Sequence, residues 1–331
     1  MDSALSALCE KFIQNRDIIK STFRWESAFF YPIAAATFLD RRQMADREKL
    51  KECYDILKEQ TGVFSNFRGY AKLSMVAMLA TDPNPKRTMQ KMLHVYDSLK
   101  EYFFSSSYLP VASMMIADMV EPSWYQEIAG RTRKIYELMK KEHPFLTSSE
   151  DSVFAAMQAL SDMENEEIVY ETERCYQILK NQFFSANAVQ SLSHVLALCH
   201  GLPEEKCSRT MELFYRLKQN GRKYGTGYEL ATLGVLAMLP EDLDVIVTKL
   251  IEVDNFLAGQ KGYGIFGMDR KQRLMHAAMI LCSAYIDQSG DHTMHSAALG
   301  GTISLIVAQQ TAMCAAIAAA SAASSASSGG N

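Results

Sequence analysis

Apolar positions along this chain recur at helical spacing, not at strand spacing. Met92, Val95, Tyr96, Leu99 and Phe103 are separated by three or four residues, with charged residues between them. That pattern predicts an amphipathic helix with one inward stripe. Upstream, Met75-Val-Ala77-Met-Leu79 is apolar all round, which predicts a buried helix. No alternating run bounded by turn residues is present, so an all-α fold is expected.

Both patterns return along the chain. Tyr54-Asp-Ile-Leu-Lys58, Tyr96-Asp-Ser-Leu-Lys100, Tyr136-Glu-Leu-Met-Lys140, Tyr176-Gln-Ile-Leu-Lys180 and Tyr215-Arg-Leu-Lys218 are copies of one phrase, and the tyrosines step by 42, 40, 40 and 39 residues. Asn255-Phe-Leu257 is a degenerate sixth copy. Lys100-Glu-Tyr-Phe-Phe-Ser105 matches Lys180-Asn-Gln-Phe-Phe-Ser185 two periods on. A second phrase, centred on Ala77, Ala117, Ala159, Ala197 and Ala237, precedes each tyrosine phrase. A period near 40 residues is the signature of stacked supersecondary units. The reading is a first helix, six A–B hairpins from about Ser27 to Gly259, and a further A-like helix near Leu274 to Ile286. Helix A is buried, helix B lies outside it, and the recurring alanine marks a close helix crossing.

The connectors fit this scheme. Asn84-Pro85, Glu121-Pro122, Leu202-Pro203 and Leu239-Pro240 lie between A and B, where proline suits the first turn of the next helix. Before the A helices stand Asn66, Ser107, Ser148, Ser149, Asn187, Thr226 and Asp269, all good N-cap types. Residues 1–290 are therefore expected to form a single helical-repeat domain of tandem α-hairpins. An open α/α superhelix with a concave groove is expected, because the terminal helices look like caps. A closed α/α toroid is the alternative, since the period alone suits both.

Residues 291–331 differ in character. From His292 onward there is no Asp, Glu, Lys or Arg. Ile303 to Ala323 reads as one Ala-rich helix, and Ser324 to Asn331 as a low-complexity end. The helix has the minimum length for a membrane span, but it carries Gln309 and Gln310 and lacks flanking aromatic or basic anchors. A soluble helix packed on the domain or on a partner is expected in its place.

Composition narrows the function classes. A formal charge of -4 with scattered Lys and Arg argues against nucleic acid. Seven cysteines without framework spacing suggest free thiols in a reducing, cytoplasmic setting. Residues 1–20 read as an amphipathic helix without the apolar core of a signal peptide.

Positions that break the repeat are the candidates for chemistry. Asp118 follows the recurring alanine in a slot otherwise filled by Met78, Leu160, Leu198 and Met238. Gln158 stands where Val76, Ile116, Leu196 and Leu236 occur, and His194 where Ser74, Met114, Ala156 and Gly234 occur. Asp118 and His194 would serve as an acid–base pair only if strong curvature joined them across two repeats. Cys199, His200 and Cys207 are candidate metal ligands without a clear fourth, and a helix end stopped at Gly201 accounts for the same residues. The links Tyr224-Gly225-Thr-Gly227-Tyr228 and Gly262-Tyr-Gly264-Ile-Phe-Gly267 precede A helices. With Arg68, Arg270 and Arg273 they outline an edge of helix N-termini that suits an anionic ligand or acidic peptide. No cofactor motif is present.

The octapeptide Val63-Phe-Ser-Asn-Phe-Arg-Gly-Tyr70, the repeated Tyr-x-x-Leu-Lys phrases and the Ala/Ser-rich end resemble an uncharacterised bacterial family, a domain of unknown function of about this length. The resemblance implies a cytoplasmic bacterial protein and transfers no active site. Leu198-Cys-His-Gly201 is similar to a zinc-ligand motif of the lanthionine cyclases, but here it ends an A helix, and neither Trp25 nor Trp124 precedes a cysteine. The Gly/aromatic links resemble those of prenyltransferase and terpene-cyclase toroids, whose acidic motifs are absent. The expected function is a non-catalytic scaffold for a peptide or protein partner, with a toroid enzyme acting on a small molecule as the alternative. The oligomeric state is not legible in the sequence.

Overall fold

The structure is a computed structural model and describes residues 1–264 and 267–285. The helix expected at Ile303 to Ala323 and the end Ser324 to Asn331 lie outside the described residues. Within them are fourteen α-helices, two 3-10 turns and no strand. The helices are α1 (Ser3–Thr22), α2 (Phe30–Asp40), α3 (Arg47–Gln60), α4 (Lys72–Thr81), α5 (Pro85–Lys100), α6 (Leu109–Met119) and α7 (Tyr125–Glu142). They continue with α8 (Asp151–Ala159), α9 (Asn165–Leu179), α10 (Ala186–Ala197), α11 (Pro203–Gln219), α12 (Leu230–Ala237), α13 (Leu243–Ala258) and α14 (Arg270–Ser283).

Contacts divide the described residues into two compact units. One holds residues 1–13 and 167–285, and the other holds residues 14–166. In the second unit α2 packs on α4, α6 on α8, α3 on α5, and α5 on α7. In the first, α10 packs on α12, α12 on α14, and α11 on α13. The even-numbered helices are short and buried nearly throughout; every residue of α12 is buried. The odd-numbered helices bury one stripe, as Met89, Met92, Val95 and Leu99 do in α5. Each such side chain contributes roughly 1.5–3 kcal/mol when fully removed from water. The recurring alanines are buried, and Gly234 shows how closely two helices approach. A Cβ there would lie 2.6 Å from Leu192 Cδ1 across the α10–α12 contact.

A short buried helix must satisfy its end groups without water. At the N-terminal ends the expected side-chain caps are mostly absent. Asp269 caps α14 in a full capping box with Gln272, and Ser185 caps α10. Asn66, Ser107, Ser148, Ser149, Asn187 and Thr226 are not helix caps in the structure. Tight turns replace them. Phe30 N–H donates to Ser27 O at 3.1 Å, Ser152 N–H to Ser149 O at 3.3 Å, and Leu230 N–H to Gly227 O at 3.1 Å. Pro85 and Pro203 open α5 and α11, and Pro122 opens a 3-10 turn. Pro240 instead precedes Asp242, the cap of α13.

Two of the C-terminal ends, those of α8 and α12, rely on arginine. Arg131 of α7 donates to the carbonyls of Ala159, Ser161 and Met163 and to Asn165 Oδ1. Arg209 of α11 donates to the carbonyls of Ala237, Leu239 and Glu241. In both cases the acceptors are the recurring alanine and the residues two and four positions after it. The guanidinium fork reaches several carbonyls that have no intrahelical donor. Replacing Arg131 or Arg209 by alanine should therefore lower stability by roughly 2–4 kcal/mol, and lysine should restore little of it. Urea unfolding of each variant measures this; a change indistinguishable from zero for both would refute the clamp.

Candidate functional site

The links that lead from each odd-numbered helix into the next even-numbered one share a construction. In the unit of residues 14–166 the recurring tyrosine of the odd helix meets an aromatic ring of a link edge-on. Phe23 meets Tyr54 with centroids 5.5 Å apart, Phe67 meets Tyr96 at 5.0 Å, and Phe103 meets Tyr136 at 5.3 Å. Such pairs add about 0.5–1.5 kcal/mol beyond burial. Polar contacts also tie three of these links to a neighbouring link or helix. Lys72 pairs with Glu26 at 2.5 Å, Asn66 Nδ2 donates to Ser105 Oγ at 2.9 Å, and Arg133 donates to Tyr102 O at 3.1 Å. These three links therefore lie along one edge, and the packing of α7 on α5 and of α8 on α6 continues the series to the link at 143–150.

In five of these links one aromatic faces solvent. Trp25, Phe64, Phe104 and Phe145 are 98 to 101% exposed, and Phe184 in the other unit is 105% exposed. They follow one another at 39, 40, 41 and 39 residues. This row escaped the sequence reading, because a phenylalanine in a half-apolar chain is assigned to the core by default. Its period was visible in the paired Phe103-Phe104 and Phe183-Phe184.

The residues singled out for chemistry have local roles. Asp118, at the end of α6, accepts two hydrogen bonds from Arg41 Nη2 at 2.5 and 2.6 Å. That pairing raises the Arg41 pKa further. Gln158 and His194 are buried in α8 and α10. Asp118 and Gln158 belong to the unit of residues 14–166, and His194 to the other. Arg68 folds back on its own link, donating to the carbonyls of Lys58 and Thr61 and to Thr61 Oγ1.

The glycine links are tight turns. The Glu229 carboxylate accepts from Gly227 N–H at 3.1 Å and occupies the space a Cβ on Gly225 would need. Tyr228 Oη accepts from Gln272 at 3.3 Å, and Tyr224 is buried. Gly267 N–H donates to Gly264 O at 2.9 Å, and a Cβ on Gly267 would lie 2.1 Å from Gly262 O. Arg270 is exposed in the first turn of α14. Arg273, with Arg222, holds the buried Asp254 carboxylate at 2.6 and 2.9 Å.

Cys199 Sγ donates to Val195 O at 3.4 Å, and burial pushes its thiol up to about 12. Cys207 is hydrogen-bonded to Cys175 and its pKa is also raised. His200 is exposed. Thiols held protonated are poor metal ligands. Among the described residues no three His, Cys, Asp or Glu side chains are grouped to share a metal ion.

One titratable group was missed. Asp151 opens α8 and is 4% exposed. Burial pushes its carboxyl up to about 7, opposed by the Ser148 N–H that donates to it at 2.7 Å. The signal was a carboxylate at a helix start where α6 and α12 begin with leucine.

Among the described residues the fold is all-α. The chain belongs to the bacterial family described as a protein of unknown function, DUF4003, whose sequence model matches residues 15–312. It is similar to the uncharacterized protein YeaA of Bacillus subtilis (strain 168), at 22% identity over 308 residues and 90% of each chain. No solved structure matches it. Among the described residues no helix is long and apolar enough to cross a membrane.

The raised Asp151 value sets a pH dependence. An unfolded aspartate titrates near 3.9, so between about pH 4 and 7 the folded chain holds a proton that the unfolded chain has released. The contribution of Asp151 to stability is complete at low pH and is lost as pH rises through about 7. Asp151→Asn should gain on the native protein across that window and then run parallel to it. Thermal unfolding from about pH 4 to 8 tests this, and a constant difference would rule it out.

Proposed function

We propose that this protein is a tandem α-hairpin superhelix that serves as a non-catalytic scaffold for a peptide or protein partner. The observation that carries the reading is the like-on-like packing of alternate helices, with α2 on α4 and α6 on α8, and α3 on α5 and α5 on α7. Stacked hairpins present long surfaces and place few groups around one point, which suits recognition of an extended partner. The commitment of Asp118 to Arg41 supports the same reading, because that carboxylate was the first candidate acid or base.

The test has two arms on the full chain. Crosslinking in cells identifies neighbours, and each candidate is then purified and titrated against the scaffold. A saturable complex that survives Asp118→Asn and His194→Ala supports the proposal. If no purified candidate binds, while a small metabolite raises the melting temperature and loses that effect in Asp118→Asn or His194→Ala, the toroid-enzyme reading replaces it.

A further inference from the structure

We propose that the link edge of residues 14–166 docks on an anionic lipid bilayer, with Trp25, Phe64, Phe104 and Phe145 entering the interface. The inference is independent of the scaffold reading. It concerns attachment to a membrane surface and not a span.

The first ground is the degree of exposure. A phenylalanine on a folded surface is usually covered along one side, but Phe64, Phe104 and Phe145 are 101, 100 and 101% exposed. Phe64 and Phe104 project from their links while a neighbouring aromatic, Phe67 or Phe103, is held against an odd-numbered helix. The links are thus firmly seated and their tips are free. Four aromatic tips at one edge are a display of apolar surface without an internal use.

The second ground is the spacing of the tips. One tip occurs per hairpin, and neighbouring helices pack about 8–10 Å apart, so the tips form separate points instead of a continuous patch. Between them stand small hydroxyl residues, Ser65, Ser105, Ser106, Ser148 and Ser149. A protein partner would need a matching pocket for every tip. A bilayer interface takes up separate aromatic tips without preformed pockets, and its headgroups hydrogen-bond to the hydroxyls between them. Tryptophan favours the headgroup level, and phenylalanine, with no polar atom, favours the acyl boundary.

The third ground is charge. Arg24, Lys58, Arg68, Lys72, Lys100, Lys140 and Lys141 stand at or beside these links against Glu26, Glu59, Glu101, Glu142 and Glu150. Glu26 is paired with Lys72, and Lys58 with Asp55. At the opposite ends of α6 and α8 the links are acidic, with Glu121, Asp162 and Glu164. A chain of net charge -4 therefore turns its more cationic edge in the direction of its aromatic tips. That is the orientation an anionic surface selects.

The chain has two tryptophans, so Trp124→Phe leaves Trp25 as the sole reporter. This variant is mixed with vesicles of phosphatidylglycerol and phosphatidylcholine, or of phosphatidylcholine alone. Expected are a blue shift of Trp25 emission, quenching by brominated acyl chains, and co-sedimentation with the anionic vesicles. Binding should be weaker with phosphatidylcholine alone and fall as salt is raised. Each of Phe64→Ser, Phe104→Ser and Phe145→Ser should lower the partition coefficient by about tenfold, with unfolding curves unchanged because the side chains touch nothing. Unshifted emission with both vesicle types would overturn the proposal, as would a triple variant that binds like the parent. A purified soluble protein that needs the same three phenylalanines, in the absence of vesicle binding, would overturn it in favour of a protein interface.

Discussion

The even-numbered helices from α2 to α12 are short and largely apolar, with few side chains of their own to satisfy their ends, and much of the remaining structure answers that constraint. An isolated helix of eight to twelve residues is marginal in water. Buried on all sides, it gains stability from packing but exposes polar end groups to an apolar surround. The chain meets this with i-to-i+3 turns at the N-terminal ends and arginine forks at two of the C-terminal ends. Arg131 and Arg209 reach the same three relative carbonyls on α8 and α12. The odd-numbered helices therefore do more than cover the buried layer. They donate the groups that close its ends.

Several of the polar residues that interrupt the apolar pattern are held by partners within their own unit. Asp118 ends α6 and is matched by Arg41, which follows α2. Asp254 is buried in α13 and held by Arg222 and Arg273. Glu229 folds over its own link to receive Gly227 N–H. Each of these is a charge whose partner is local to its unit, as burial requires. They stabilise the fold, and they weaken the argument from pattern-breaking residues to catalysis. The exposed aromatics are the converse case. They contribute little to the packing around them, and they recur with the period of the helices.

The sequence by itself determined the helical class, the period near 40 residues, and the alternation of all-apolar with amphipathic segments. These are local properties, written in residues three and four positions apart, and helices report them faithfully. It also showed which residues depart from the repeat. It did not determine what those departures do. Arg41 and Asp118 are 77 residues apart, and nothing near either announces the other. Turn-based helix starts replaced the expected caps, because the preceding residues were already in turn conformation. Phe103 and Phe104 are chemically identical neighbours, yet Phe103 meets Tyr136 edge-on and Phe104 faces water. Only the tertiary structure decided between them, because which of two adjacent side chains finds a partner depends on where a helix about 30 residues away is packed.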